Sequence, residues 1–183
     1  WVACDGQNMK DFSAVGYHFG ALLRDSLDVP IGLICNAIGG APAEAWIPES
    51  ALEAEYPEVL YPWFDNKILN GWCVEMGRKN LGYPETGATK HPYAPCYLFD
   101  AAIAPMEQFP VKGVVWYQGE SNDYDIRQHE KLFPILVESW REYWGNPQMP
   151  FHFVQLSSLN RDHWPAFRDS QRRLAELIPY CEM

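Results

Sequence analysis

An apolar run over residues 111–116 stops abruptly at Tyr117-Gln118-Gly119-Glu120-Ser121-Asn122. A buried parallel strand reads this way when it delivers polar side chains at its carboxyl end. Gly119 permits a tight turn, and Gln118, Glu120 and Asn122 then have no apolar face to hide on. Buried polar groups need partners. One capping residue among Ser121, Asn122 and Asp123 would satisfy the helix that follows. The polar cluster exceeds that need, so it is read as part of a ligand site.

The rest of the chain supplies the frame for such a strand. Residues 31–38 form a second short apolar run closing on Gly39-Gly40, and residues 150–156 form a third, followed by Ser157-Ser158. Helical spacing fills the intervals. A helix is predicted over 12–25, with Val15, His18, Phe19, Leu22 and Leu23 on one stripe and Ser13 as its cap. Short turns follow at 43–46 and 48–52, and a short helix at 98–106. A long amphipathic helix is predicted over 125–144, with Leu132, Leu136, Val137, Trp140 and Trp144 inward, ended by Gly145-Asn146-Pro147. A last helix over 164–178 carries Phe167, Gln171, Leu174 and Leu177 at helical intervals. Alternating strands and helices imply an α/β fold with a parallel sheet. The carboxyl ends of such a sheet share one rim, where ligands bind. Gly39-Gly40, Gln118 to Asn122 and Ser157-Ser158 all fall there.

The 183 residues suit one domain, or a large part of one, with an irregular insertion at about 53–97. Trp63, Trp72, Tyr83 and Tyr93 in that insertion are either packed beneath it or offered to a sugar ring. Net charge is −10 and no Lys/Arg cluster is present, which excludes nucleic acid and an anionic membrane surface as expected partners. No apolar run approaches bilayer length. The chain opens on Trp1 without a leader pattern, and is read as a processed product or excised piece. None of the five cysteines forms a CxxC pair, so no structural zinc site is expected. Cys35 is expected to be buried in its strand. Cys73 and Cys96 could pair in an oxidising compartment, and the sequence leaves that open.

Gly39-Gly40 is either a plain strand-to-loop turn or a pair that directs backbone N–H groups into open space, and Asn122 can add a side-chain N–H. Together such donors form an oxyanion hole. A nucleophile is harder to find. Ser121 lacks the second glycine of a GxSxG elbow. Asp162-His163 resembles a dyad, but neighbours point apart, and Asp162 is expected to cap the last helix. His18 is expected to be structural, and His91, His129 and His152 lack the spacing of a metal pair.

The segments Phe12-Ser13-Ala14-Val15-Gly16-Tyr17, Gly39-Gly40-Ala41-Pro42-Ala43-Glu44-Ala45-Trp46 and Trp116-Tyr117-Gln118-Gly119-Glu120-Ser121-Asn122 resemble the sialate O-acetylesterase family of SGNH-type carbohydrate esterases. Residues 150–156, Trp164, Arg168 and Gln171 follow in the same order. The resemblance implies a flavodoxin-like three-layer α/β/α sandwich, incomplete in this chain, that removes acetyl groups from sugar hydroxyls without a cofactor. By that resemblance Gly40 and Asn122 are oxyanion-hole residues, and Gly39, Glu44, Gln118, Gly119, Glu120 and Arg168 contact substrate. The implied partner is a small-molecule or oligosaccharide acetyl ester, and the implied location is secreted or periplasmic.

Three departures qualify the resemblance. The family's serine lies in a Gly-Gln-Ser-Asn-Met segment on a first strand, whereas Gly6-Gln7-Asn8-Met9 has no serine and precedes the first helix directly. The family's Asp-x-x-His pair lies beyond the last helix, past Met183. The chain alone is therefore expected to be inactive. Ala41 stands where the family often has a hydroxyl residue. Two rival readings are a glycosidase using Glu120 with Glu44 and a non-catalytic carbohydrate-binding module.

Overall fold

The structure is a computed structural model that describes residues 1–5 and 7–183. Gly6, which opens the Gly6-Gln7-Asn8-Met9 segment, lies outside the described residues. The chain divides into two compact units, Trp1–Ala37 and Ile38–Met183.

In the first unit, α1 (Ala14–Leu27) begins where Ser13 Oγ accepts the Gly16 N–H at 3.1 Å, as its cap position predicts. The helix ends on Asp28 in the left-handed region at φ 52°. Val15, Phe19 and Leu23 are half-buried, while His18 and Leu22 of the expected stripe are exposed. The strand expected over 31–38 does not form, since no described residue pairs with it in a ladder. A strand exists through hydrogen bonds to its neighbour, so an apolar run without one is not a strand. Cys35, expected to be buried there, is exposed.

The second unit starts with a turn and a single 3-10 turn, Ala43–Trp46, all four of whose residues are buried. Next comes α2 (Glu49–Glu55), and then α3 (Gly71–Leu81). The expected irregular insertion thus contains a helix of 11 residues. Its periodicity is hidden because its buried positions are Cys73 and Gly77 rather than large apolar residues. Its cap, Asn70, accepts from the N–H groups of Trp72 and Cys73.

A parallel sheet follows in the order β1 (Val114–Trp116), β2 (Phe151–Phe153) and β3 (Cys181–Glu182). Val114 is opposite Phe151, and Phe151 is opposite Cys181. The helix α4 (Ile126–Tyr143) joins β1 to β2, and α5 (Trp164–Leu177) joins β2 to β3. This is the α/β arrangement that parallel pairing demands, because a hairpin cannot connect parallel neighbours. At two residues, β3 is too short for any periodicity to betray it.

Leu132, Phe133, Leu136, Val137 and Trp140 of α4 pack into the core with Trp46, Trp116, Phe151 and Phe153. Asp125 Oδ1 accepts the Gln128 N–H at 3.1 Å. The α4 cap is therefore Asp125, which leaves Ser121, Asn122 and Asp123 for other partners. Asp162 does not cap α5. The N-cap is His163, in helical conformation at φ −89° and ψ −6°, without a side-chain cap bond. An N-cap side chain reaches back only from extended backbone. Leu177, expected inward, is 75% exposed.

Candidate active site

The carboxyl end of β1 turns sharply at Gly119, where φ is 150° and an added Cβ would stand 2.6 Å from Phe167 Cε1. No other residue fits that approach. The Asn122 N–H closes the turn onto the Gly119 carbonyl at 2.9 Å. This geometry sends Gln118 and Asn122 toward the start of the second unit.

Gly40 also has a positive φ, 78°, and an added Cβ would lie 2.8 Å from the Tyr93 hydroxyl and 3.1 Å from the Trp72 indole. The two turns are stitched together. Ser121 Oγ donates to the Gly40 carbonyl at 2.8 Å. Gln118 Nε2 donates to the Ala41 carbonyl at 3.1 Å and to Asn122 Oδ1 at 2.8 Å. The Ala43 N–H donates to the same Oδ1 at 2.9 Å. Asn122 Nδ2 donates to Glu44 Oε2 at 3.0 Å.

Two donors on Oδ1 settle which way the Asn122 amide faces, because a flipped amide would set N–H against N–H. Asn122 and Glu44 are each 1% exposed. Burial holds the Glu44 carboxyl above its ordinary range, with its own backbone N–H and Asn122 drawing it partly back. One Nδ2 hydrogen has no acceptor among the bonds of the described residues, and neither has the Gly40 N–H. Gln118 Oε1 is likewise buried without a partner among them.

The remaining predicted site residues lie around this knot. Gly39 offers its carbonyl to the Tyr93 hydroxyl at 2.8 Å. The Glu120 side chain is exposed, whereas Glu44 is enclosed, so these two carboxyls occupy opposite environments. Arg161 Nη1 donates to the Glu120 carbonyl at 3.4 Å and to Asp123 Oδ2 at 3.2 Å, which ties the loop after β2 to the turn. Ser157 and Ser158 are exposed. Arg168 Nη2 donates to Gln155 Oε1 at 2.8 Å, while Gln171 Nε2 reaches the Gln118 carbonyl at 3.5 Å.

Sequence reasoning misses Asn70, whose Nδ2 donates to the Ser121 carbonyl at 2.8 Å. The Asn70-Gly71 pair at a helix start was its available signal. Cys73 and Cys96 are both free thiols. Burial pushes each up to about 12, which keeps the nucleophilic thiolate out of reach at neutral pH. Among the described residues, no three His, Cys, Asp or Glu side chains are placed to hold a metal ion.

Comparison with known proteins extends the picture. A family model described as carbohydrate esterase, sialic acid-specific acetylesterase matches residues 87–182. The human sialate O-acetylesterase is 37% identical over 158 residues, covering 81% of this chain and 26% of that protein. The rat sialate O-acetylesterase is 34% identical over 170 residues, covering 82% of this chain and 30% of that protein. The crystal structure of a carbohydrate acetylesterase from Xanthomonas citri superposes with a TM-score of 0.71 at 28% identity. That match covers 100% of this chain and 36% of the other. The chain thus spans between a quarter and a third of the length of these curated relatives. The small parallel sheet with its helices agrees with the flavodoxin-like α/β fold expected from the sequence.

Proposed function

This chain belongs to the sialic acid-specific acetylesterase family of carbohydrate esterases, and from that membership we propose that the intact protein is a carbohydrate O-acetylesterase. It hydrolyses acetyl esters on sugar hydroxyls through a serine acyl-enzyme. The observation that supports this most directly is the orientation of the buried Asn122 amide beside the Gly40 turn.

In this reading a serine outside the 183 residues attacks the acetyl carbonyl, and a histidine of an Asp-x-x-His pair takes its proton. The carbonyl oxygen becomes an oxyanion, held by the Gly40 N–H and the remaining Nδ2 hydrogen of Asn122. Collapse of this intermediate breaks the bond to the sugar oxygen, which takes the proton from histidine and departs as a free hydroxyl. Water then attacks the acyl-enzyme and acetate leaves. Glu44 works through Asn122 as a positioning residue. Gln118 lines the pocket and through Nε2 holds the Ala41 carbonyl and Asn122 Oδ1 in place, and the backbone at Gly39 and Gly119 shapes the pocket floor. Glu120 and Arg168 contribute at its edge. The family resemblance supports an exported protein. Among the described residues no helix is long and apolar enough to cross a membrane.

The test is release of acetate from O-acetylated sugars by the intact protein, with reducing ends unchanged. Asn122→Ala is expected to lower kcat about 100- to 1,000-fold, the usual effect of losing one oxyanion donor, with little change in KM. Reducing ends appearing without acetate, or full turnover in the variant, would overturn the reading.

A further inference from the structure

Trp72 is 54% exposed, an unusual state for a tryptophan held by so much local structure. It occupies the first turn of α3, where its N–H donates to Asn70 Oδ1 at 2.9 Å. Asn70 in turn donates to the Ser121 carbonyl, and Ser121 donates to the Gly40 carbonyl. Beside Trp72 lies Tyr93, its ring 5.7 Å away and inclined by 31°. The Tyr93 hydroxyl donates to the Gly39 carbonyl at 2.8 Å, and its backbone N–H donates to His91 Nδ1 at 3.1 Å. Tyr93 is therefore bonded to the double-glycine turn directly, and the Trp72 backbone is linked to it through Asn70 and Ser121. A Cβ on Gly40 would touch both aromatic side chains.

A rigid, half-open aromatic pair beside polar groups is how proteins present a flat apolar surface to a ligand with one apolar face. The C–H face of a pyranose ring is such a surface, with hydroxyls at its rim. Covalent geometry supplies the occupant. A sugar whose acetyl carbonyl is held at the Gly40 N–H is joined to that carbonyl through a single ester oxygen. Its ring must therefore lie within the immediate surroundings of Gly40, where Trp72 and Tyr93 stand.

We propose that Trp72, braced by Tyr93, is the stacking platform for the pyranose ring that carries the scissile acetyl group. This rests on the esterase reading and deepens it by assigning the residue that holds the sugar ring. Trp72 is then a specificity-determining residue. Its contribution is to ring binding, since stacking on the sugar is present before the carbonyl is attacked and is retained in the transition state.

The experiment compares two substrates in the intact protein. One is an O-acetylated pyranoside without an aromatic leaving group, and the other is glycerol triacetate, which has no ring. Trp72→Ala is expected to lower kcat/KM for the pyranoside about tenfold, the usual scale of one stacking contact, chiefly through KM, with glycerol triacetate unaffected. Trp72→Phe is expected to restore part of the loss. An unchanged KM for the pyranoside in Trp72→Ala would overturn the platform while leaving the esterase reading intact. Equal losses on both substrates would also overturn it, since they would mark a structural role for the indole. If the wild-type protein hydrolyses neither ester, the esterase reading falls and takes the platform with it.

Discussion

Asn122 Nδ2 donates to Glu44 Oε2 at 3.0 Å across 78 positions of sequence, and both side chains are closed off from solvent. A buried carboxyl with a single side-chain partner is an expensive feature. Its observed effect is to hold one amide hydrogen of Asn122 and so set the direction of the other. The carboxyl lies beneath the site, in contact with the proposed oxyanion donor.

Replacing Glu44 tests that arrangement through pH. The folded protein holds the Glu44 carboxyl above its ordinary value of 4.5 because burial penalises the charged form. The folded state therefore binds this proton more tightly than the unfolded state does. Stability from this group is present below 4.5 and is lost as pH rises through the raised folded value. Denaturation in urea over a pH series is expected to show wild type losing stability relative to Glu44→Gln across that rise. Parallel curves for the two proteins would show that Glu44 does not titrate differently in the two states.

His129 sets an opposite dependence. It is fully buried on α4, with its ring stacked on Phe133 at 5.7 Å and beside Phe167 at 4.6 Å. Burial lowers its imidazole from 6.5 to about 4. The unfolded chain therefore takes up a proton between those values while the folded chain does not. Stability is fully present above 6.5 and falls as pH drops toward 4, by on the order of 3 kcal/mol. His129→Phe is expected to flatten this limb. The buried Nδ1 has no partner among the described residues, so the substitution removes no bond made there. An unchanged acid limb in the variant would exclude His129 as its source.

Gly119 is predicted to tolerate no side chain. Gly119→Ala places a methyl 2.6 Å from Phe167 Cε1 at a φ of 150°. Strain and overpacking together are expected to destabilise the protein by about 3 kcal/mol. Thermal melting checks the loss. Adding Phe167→Leu makes room beside the methyl, so part of the loss should return in the double variant. Additive losses would mean that the contact is not the cause.

Local chemistry made several elements legible in advance. The apolar runs before Gln118 and around Phe151 place β1 and β2, and apolar spacing places α4 and α5. Ser13 marks the start of α1 because a cap bond spans three residues and needs nothing distant. The run over 31–38 misleads for the complementary reason. Its apolar content is a local property, while strand formation depends on a neighbour. The α3 helix escapes because Cys73 and Gly77 bury little side-chain area, so its inner face leaves no apolar stripe.

By itself the sequence determined the α/β alternation, the parallel sheet, and the two turns that carry glycine and amide chemistry. These follow from backbone sterics and from apolar periods repeated within a few residues. Only the tertiary structure decided what Asn122 bonds, that Glu44 is enclosed while Glu120 is exposed, and that Trp72 stands open against Gly40. Those outcomes join residues separated by 79, 78 and 54 positions at Ala43–Asn122, Glu44–Asn122 and Gly39–Tyr93. At such separations a partner is chosen by how the packed elements bring distant loops together, and no local pattern in the chain records that choice.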